Sequence, residues 1–184
     1  MMSQAELVAR IARVRSGEAD AWGELYQELA PPVFRLCRRA LGTREDAEDA
    51  TTEIFLKVRV KLTQYDAGRP FRPWLFKLAA NHCWDALRRR RRRGEVGDLD
   101  SLGAESPEPG QLEQLLTEQK RQDVRSALAK LNDRDRLALT MRYYAELSYE
   151  EIAEVLGVTS TVVGVLLLRA RRRLRLVLVG EGGA

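Results

Sequence analysis

LSYEEIAEVLGV, residues 147–158, runs up to a glycine and is followed at once by a helix-patterned segment crowded with arginine. Its reading decides the fold. Ser148 is a strong helix N-cap, and Glu151, three residues on, stands where a capping-box side chain reaches back to the cap amide. Ile152, Ala153 and Leu156 form an apolar stripe at helical spacing. Gly157 falls where the chain must leave the helix, a position that favours a residue tolerating positive φ. Val158 fills the corner, and Thr159, Ser160 and Thr161 supply caps for the next helix. Two short helices at a steep angle around a glycine turn read as a helix-turn-helix, which presents one helix to a DNA groove. An αα-corner with no ligand is the alternative.

Outward from this stretch, helical patterns dominate and strand signals are nearly absent. Leu7, Ile11 and Val14 mark a first helix. Ala21, Trp22, Leu25, Tyr26 and Leu29 mark a second, which Pro31 and Pro32 are expected to end. Val33, Leu36, Cys37 and Ala40 mark a third, stopped by Gly42. Thr43 with Asp46 opens a fourth, running to about Leu62. A polar loop, 63–70, gives way to a long helix carrying Trp74, Leu75, Leu78, Ala79, Trp84 and Leu87. Residues 94–111 hold four glycines and two prolines among several acids, a composition that cannot bury enough apolar surface to fold alone. Further helices are expected near 112–131, 133–144, 148–156 and 160 to about 177. The predicted fold is all-α: two small helical domains, 1–93 and 112–178, joined by a flexible acidic linker, 94–111.

The chain has 184 residues and a net charge of only +4, but the charge is unevenly placed. Arg88 to Arg93 are six consecutive arginines, and Arg169, Arg171, Arg172, Arg173 and Arg175 cluster near the C-terminus. Residues 94–118 between them hold seven acids and no base. Two basic surfaces around an acidic strap point to a polyanion touched at two places. Cys37 and Cys83 have no metal spacing and read as small, reduced core residues. Glu6, Arg10 and Arg13 interrupt any leader-like apolar stretch. The longest apolar run, 162–168, is too short to span a bilayer, so no membrane insertion is expected. A cytoplasmic location follows.

An enzyme reading fails. His82, the sole histidine, has no catalytic or metal-ligand partner at a telling spacing and reads as a helix-surface residue. No phosphate-cradling glycine loop or nucleophile elbow is present. No cofactor and no metal are expected. The segment 44–58, REDAEDATTEIFLKV, gathers acids on the early turns of one helix, where they complement its dipole; with Phe55 and Leu56 it also reads as a protein-docking face. The segment 71–93, FRPWLFKLAANHCWDALRRRRRR, combines aromatics, an amide and massed arginine, a mixture suited to nucleic acid.

Taken together, these segments resemble the bacterial RNA polymerase sigma factors of the extracytoplasmic-function (ECF) type, across roughly residues 18–175. ELYQELAPPVFRLCRRALG looks like the opening of sigma domain 2, DAEDATTEIFLKV like its polymerase-docking helix, and the arginine-rich segment like its promoter-melting, −10-reading helix. ALAKLNDRDRLALTMRYYAELSYEEIAEVLGV resembles sigma domain 4. The resemblance implies a non-catalytic subunit that directs core polymerase to promoters and helps melt them, with core RNA polymerase (β′ clamp helices and β flap) and promoter DNA as partners. It implies that Asp46, Glu48, Asp49, Glu53 and Phe55 bind polymerase. Tyr65, Arg69, Trp74, Lys77, Asn81, Asp85, Arg88 and Arg89 would serve the −10 side, and Thr159, Ser160, Thr161, Arg169, Arg171 and Arg172 the −35 side. An anti-sigma factor is a further partner, the free chain is expected to be a monomer, and the polymerase-bound form to be associated with the nucleoid.

One segment departs from that pattern. The second helix of the helix-turn-helix reads TSTVVGVLLLRARRRLR. Val163, Leu167, Ala170 and Leu174 have the spacing of a buried stripe, which leaves Val162, Val165, Leu166 and Leu168 on the groove-facing flanks. Apolar side chains touch thymine methyls but supply no bidentate hydrogen bonds. Gly164 costs about 1 kcal/mol against alanine in a helix. The accounts left open are a working sigma factor with shape- and phosphate-based −35 contacts, a protein-docking flank, and a degenerate sigma-like interaction module. A free-standing helix-turn-helix regulator is the reading from another class.

Overall fold

The computed structural model describes residues 2–94, 123–124 and 126–181. Among the described residues run α1 (Gln4–Arg15), α2 (Ala19–Leu41), α3 (Arg44–Lys61), α4 (Phe71–Arg92), α5 (Asp133–Tyr143), α6 (Tyr149–Leu156) and α7 (Ser160–Glu181), with a 3₁₀ turn at Leu62–Gln64 and further helical residues at 123–124 and 126–129. No strand occurs among the described residues. The expected linker lies outside them except for Gly94, as does most of the helix expected from 112.

Local chemistry sets the helix starts. Ser3 and Glu6 form a reciprocal capping box on α1, Thr43 accepts from the Asp46 amide at α3, and Asn132 accepts from the Asp135 amide at α5. Gly42, at φ 95°, closes α2. The expectation that Pro31 and Pro32 end a helix is corrected: α2 runs through both. Each proline forfeits one backbone hydrogen bond. Leu25, Leu29, Val33, Leu36, Cys37 and Ala40 are all buried along the same stripe, and burial of that continuous face outweighs the loss. The prolines themselves sit on the outer side, Pro31 exposed and Pro32 half-buried.

α2 packs against α1, α3 and α4. Near its C-terminal end Cys37 meets Cys83 of α4, both fully buried with their sulfurs 3.7 Å apart. The contact with Cys37, and then burial, push the Cys83 thiol well above its ordinary pKa.

The second half does not stand apart. α5 packs on α2 and α4, and α6 packs on α4, so the apolar interior is continuous from Leu7 to Ala170. Arg136, 2% exposed, donates from Nε and Nη2 to the Ala40 carbonyl at 3.1 and 3.0 Å. That carbonyl belongs to the last turn of α2, whose acceptors lack helical partners and carry the negative end of the dipole. Tyr144 Oη donates to the Pro32 carbonyl at 2.9 Å, its ring lies under Arg39 at 4.3 Å, and Phe76 meets it edge-on. Lys77 on α4 pairs with Glu154 on α6.

Candidate nucleic-acid and partner interface

The outer face of α3 is an acidic ridge with apolar members. Asp49 and Glu53 are exposed, and Leu56 (61%) and Val60 (72%) continue the same stripe at i, i+7 and i+11 from Asp49. Glu48 is exposed but holds Arg44 at 2.8 Å. Asp46 is drawn into the fold, taking the Thr43 hydroxyl at 2.6 Å and the Arg90 guanidinium at 2.8 Å. Phe55 is not on this ridge. It is 3% exposed and packs edge-on against Tyr26 and Trp22, so its expected partner-facing placement is corrected. Val60 was not anticipated; the i+4 step from Leu56 was the available signal.

Between α3 and α4 lies a cleft of about 520 Å³ lined by Lys57, Lys61, Trp74, Lys77, Leu78, Asn81, His82 and Asp85. It brings together four residues expected from the sequence, Trp74, Lys77, Asn81 and Asp85. Tyr65 is elsewhere: only 4% exposed, it packs its ring against Phe71 (5.0 Å) and Trp74 (5.2 Å) and gives its hydroxyl to the Arg69 carbonyl. Its role is therefore to back the Trp74 ring rather than to face solvent. Arg69 projects outward beside Asp66, 3.6 Å away, and Arg88 and Arg89 are exposed farther along α4.

Three cleft residues escaped the sequence reading. Lys57 and Lys61 are one turn apart on α3, legible as a basic pair but not as neighbours of α4. His82 is 6% exposed, so its expected surface placement is corrected. Its Nδ1 lies 2.7 Å from Lys57 Nζ and its Nε2 3.8 Å from Glu53 Oε2. Burial first, then the Lys57 charge, lowers the His82 pKa below 6.5, with Arg89 adding to Lys57 while Glu53 and Asp85 pull the other way.

The helix-turn-helix forms as expected. Ser148 and Glu151 complete a capping box, Gly157 is left-handed at φ 64°, and α6 and α7 meet at 94°. Thr159 Oγ1 accepts from the Val162 amide. Thr159 and Thr161 are exposed and Ser160 half-buried, at the start of α7. Along that helix Val163, Leu167 and Ala170 are buried, and so is Leu166 at 3%, contrary to its expected place on the flank. Val162 (44%), Val165 (64%) and Leu168 (63%) remain exposed. Gly164 lies under the Tyr149 ring, where an added Cβ would stand 3.6 Å from Cε2. Arg169 and Arg173 hold the fully buried Asp135 at 3.4 and 2.5 Å, whereas Arg171 and Arg172 are exposed. Arg169 thus ties α7 to α5 as well as facing outward.

Among the described residues no cluster of histidine, cysteine and acids is arranged to hold a metal ion, and no single helix is long and apolar enough to cross a membrane.

Known proteins carry the same arrangement. Residues 25–93 match the family described as Sigma-70 region 2, and residues 121–174 match Sigma-70, region 4. The ECF RNA polymerase sigma factor SigL of Mycobacterium tuberculosis (strain ATCC 25618 / H37Rv) is 33% identical over 172 residues, covering 93% of this chain and 96% of SigL. SigW of Bacillus subtilis (strain 168) is 28% identical over 178 residues, covering 90% and 93% of the two chains. Two solved structures share the fold. One is CnrH in complex with the cytosolic domain of CnrY (TM-score 0.61, 24% identity, 95% and 97% covered). The other is RpoE with the anti-sigma factor NepR from Bartonella quintana (TM-score 0.63, 23%, 87% and 98%). With regions 2 and 4 in that order on an all-α chain, this protein belongs to the ECF sigma factors of RNA polymerase.

Proposed function

We propose that this sigma factor docks on core polymerase through the acidic ridge of α3 and receives the −10 strand in the α3–α4 cleft, helping to melt the promoter. The α6–α7 unit then sits at the −35 region. The observation that carries the reading is the placement of a basic, aromatic-walled cleft beside an acidic, apolar-studded ridge on the same two helices. Asp49, Glu53, Leu56 and Val60 form the partner side; Glu48 contributes from its edge, and Asp46 acts by holding Arg90. Trp74, Lys77, Asn81 and Asp85, with Arg69, Arg88 and Arg89 at its margins, form the nucleic-acid side. Unstacking a base costs a few kcal/mol, which stacking on Trp74 and phosphate contacts offset without an energy source. At the −35 side Thr159, Ser160, Thr161, Arg171 and Arg172 meet backbone phosphates, with Arg169 beside them. The work is done in the cytoplasm by a non-catalytic subunit, monomeric when free.

The test is reconstitution. Pull-down of core polymerase by the wild-type chain, and its loss in the Asp49→Lys/Glu53→Lys variant, supports the ridge; equal capture by both overturns it. An anti-sigma partner is a second element of this reading, favoured by the exposed flank of Val162, Val165 and Leu168, an apolar patch on a helix otherwise built for DNA. Val165→Asp is expected to abolish capture of such a regulator while leaving core binding intact.

A further inference from the structure

We propose that His82 is a positioning residue for promoter DNA: its Nδ1 holds the Lys57 ammonium in the α3–α4 cleft, where that cation meets a phosphate of the separated strand. The inference rests on the promoter-facing reading of the cleft and adds to it a lysine and a histidine to which the sequence motifs assign no binding role.

The argument begins with donors and acceptors. An ammonium has three donors and no acceptor, so the ring nitrogen facing Lys57 at 2.7 Å presents its lone pair. The proton then resides on Nε2, turned toward Glu53 Oε2 at 3.8 Å. His82 is held in this orientation by burial, at 6% exposure, on α4 where that helix packs against α3. Lys57 is by contrast on the exposed side of α3. A free lysine there has rotamer entropy that a phosphate contact has to overcome. Fixing its head on an immobile acceptor removes part of that cost before DNA arrives, and two N–H donors remain for an anion.

The surroundings fit a nucleic-acid strand. Lys61 lies one turn along α3, Lys77 lines the opposite wall, and Trp74 offers a ring on which a base stacks. Lys77 is engaged by Glu154 in the free chain, whereas Lys57 is already held within the cleft. Glu53 lies on the docking ridge and Lys57 in the cleft, so His82 touches both working faces of α3.

Holoenzyme assembled from core polymerase and the full chain is titrated with a single-stranded −10 oligonucleotide across a salt series. Lys57→Met and His82→Leu are each expected to weaken binding roughly fivefold and to lower the slope of log K against log salt by about 0.7, the signature of one lost single-strand phosphate contact. The double variant is expected to match either single one. His82→Asn, whose amide oxygen replaces Nδ1, is expected to restore the wild-type slope, and His82→Gln, which displaces the acceptor, is not. Should His82→Leu fail to fold by urea titration, the Asn and Gln pair carries the same comparison. A wild-type slope in both His82→Leu and His82→Gln alongside a reduced one in Lys57→Met overturns the positioning role; a wild-type slope in Lys57→Met overturns the phosphate contact. Failure of the wild-type holoenzyme to bind the strand at all overturns the promoter-facing reading itself.

Discussion

Arg136 sits where α2 runs out of hydrogen-bond partners, and its guanidinium answers three carbonyl contacts while Asp133 neutralises it at 2.6 Å. Burial lowers its pKa, and Asp133 acts in the opposite direction. Arg136→Met keeps the volume but leaves the Ala40 and Leu131 carbonyls unanswered, so the expected loss is about 2–3 kcal/mol by urea titration. His82 makes a pH prediction. Its folded pKa lies below 6.5, so the unfolded chain binds more protons as the solution acidifies, and the contribution is present above pH 6.5 and lost below it. Wild-type stability is expected to fall between about pH 8 and about pH 5.5 more steeply than that of His82→Asn. Neither residue's part was legible beforehand. His82 reads as surface because no partner stands at a telling spacing in the sequence, whereas α2 and α3 both pack on α4 and bury Ala79, Ala80, His82 and Cys83. Tyr65 and Phe55 misled for a related reason: an aromatic near a functional segment supports it from below as readily as it faces outward.

Individual elements were most legible where their signals are local. The helix-turn-helix needed only a cap, its reciprocal glutamate and a glycine twelve residues or fewer apart, and all three behave as read. Ser148→Ala is expected to cost about 1 kcal/mol, and Gly157→Ala a similar amount because alanine is strained at φ 64°, both seen as a lower thermal midpoint. α2 shows the opposite case, in which packing overrode a local stop signal. Pro31→Ala is therefore expected to stabilise the chain by about 1–2 kcal/mol, since it returns a helical hydrogen bond on an exposed face; an unchanged or lower midpoint would contradict the reading of α2. For α7, burial of Leu166 narrows the apolar flank to Val162, Val165 and Leu168 without adding a hydrogen-bonding side chain. Binding to −35 duplexes is expected to depend strongly on salt and to vary little among single-base variants, and a steep loss on one base change would overturn it.

Across the whole molecule, the helical class and the order of the two halves could be read from periodicity and charge, but their contact could not. It depends on single residues about a hundred positions apart, Arg136 with Ala40 and Tyr144 with Pro32, which no periodic pattern announces. Closure also engages Lys77 with Glu154, so under the proposed function this lysine shares its ammonium between that carboxylate and DNA, or exchanges one for the other. Combining Glu154→Lys with Tyr144→Ala is expected to increase the radius of gyration in X-ray scattering; an unchanged radius would mean that Arg136 alone keeps the halves together. The paired thiols of α2 and α4 supply a built-in gauge of such movements. Both thiols are sealed from solvent and the Cys83 thiol is pushed well above its ordinary pKa, so the pair is inert toward an alkylating reagent until the first bundle breathes. Their labelling rate therefore counts excursions of that bundle alone, and a hinge that merely parts the halves leaves the count untouched.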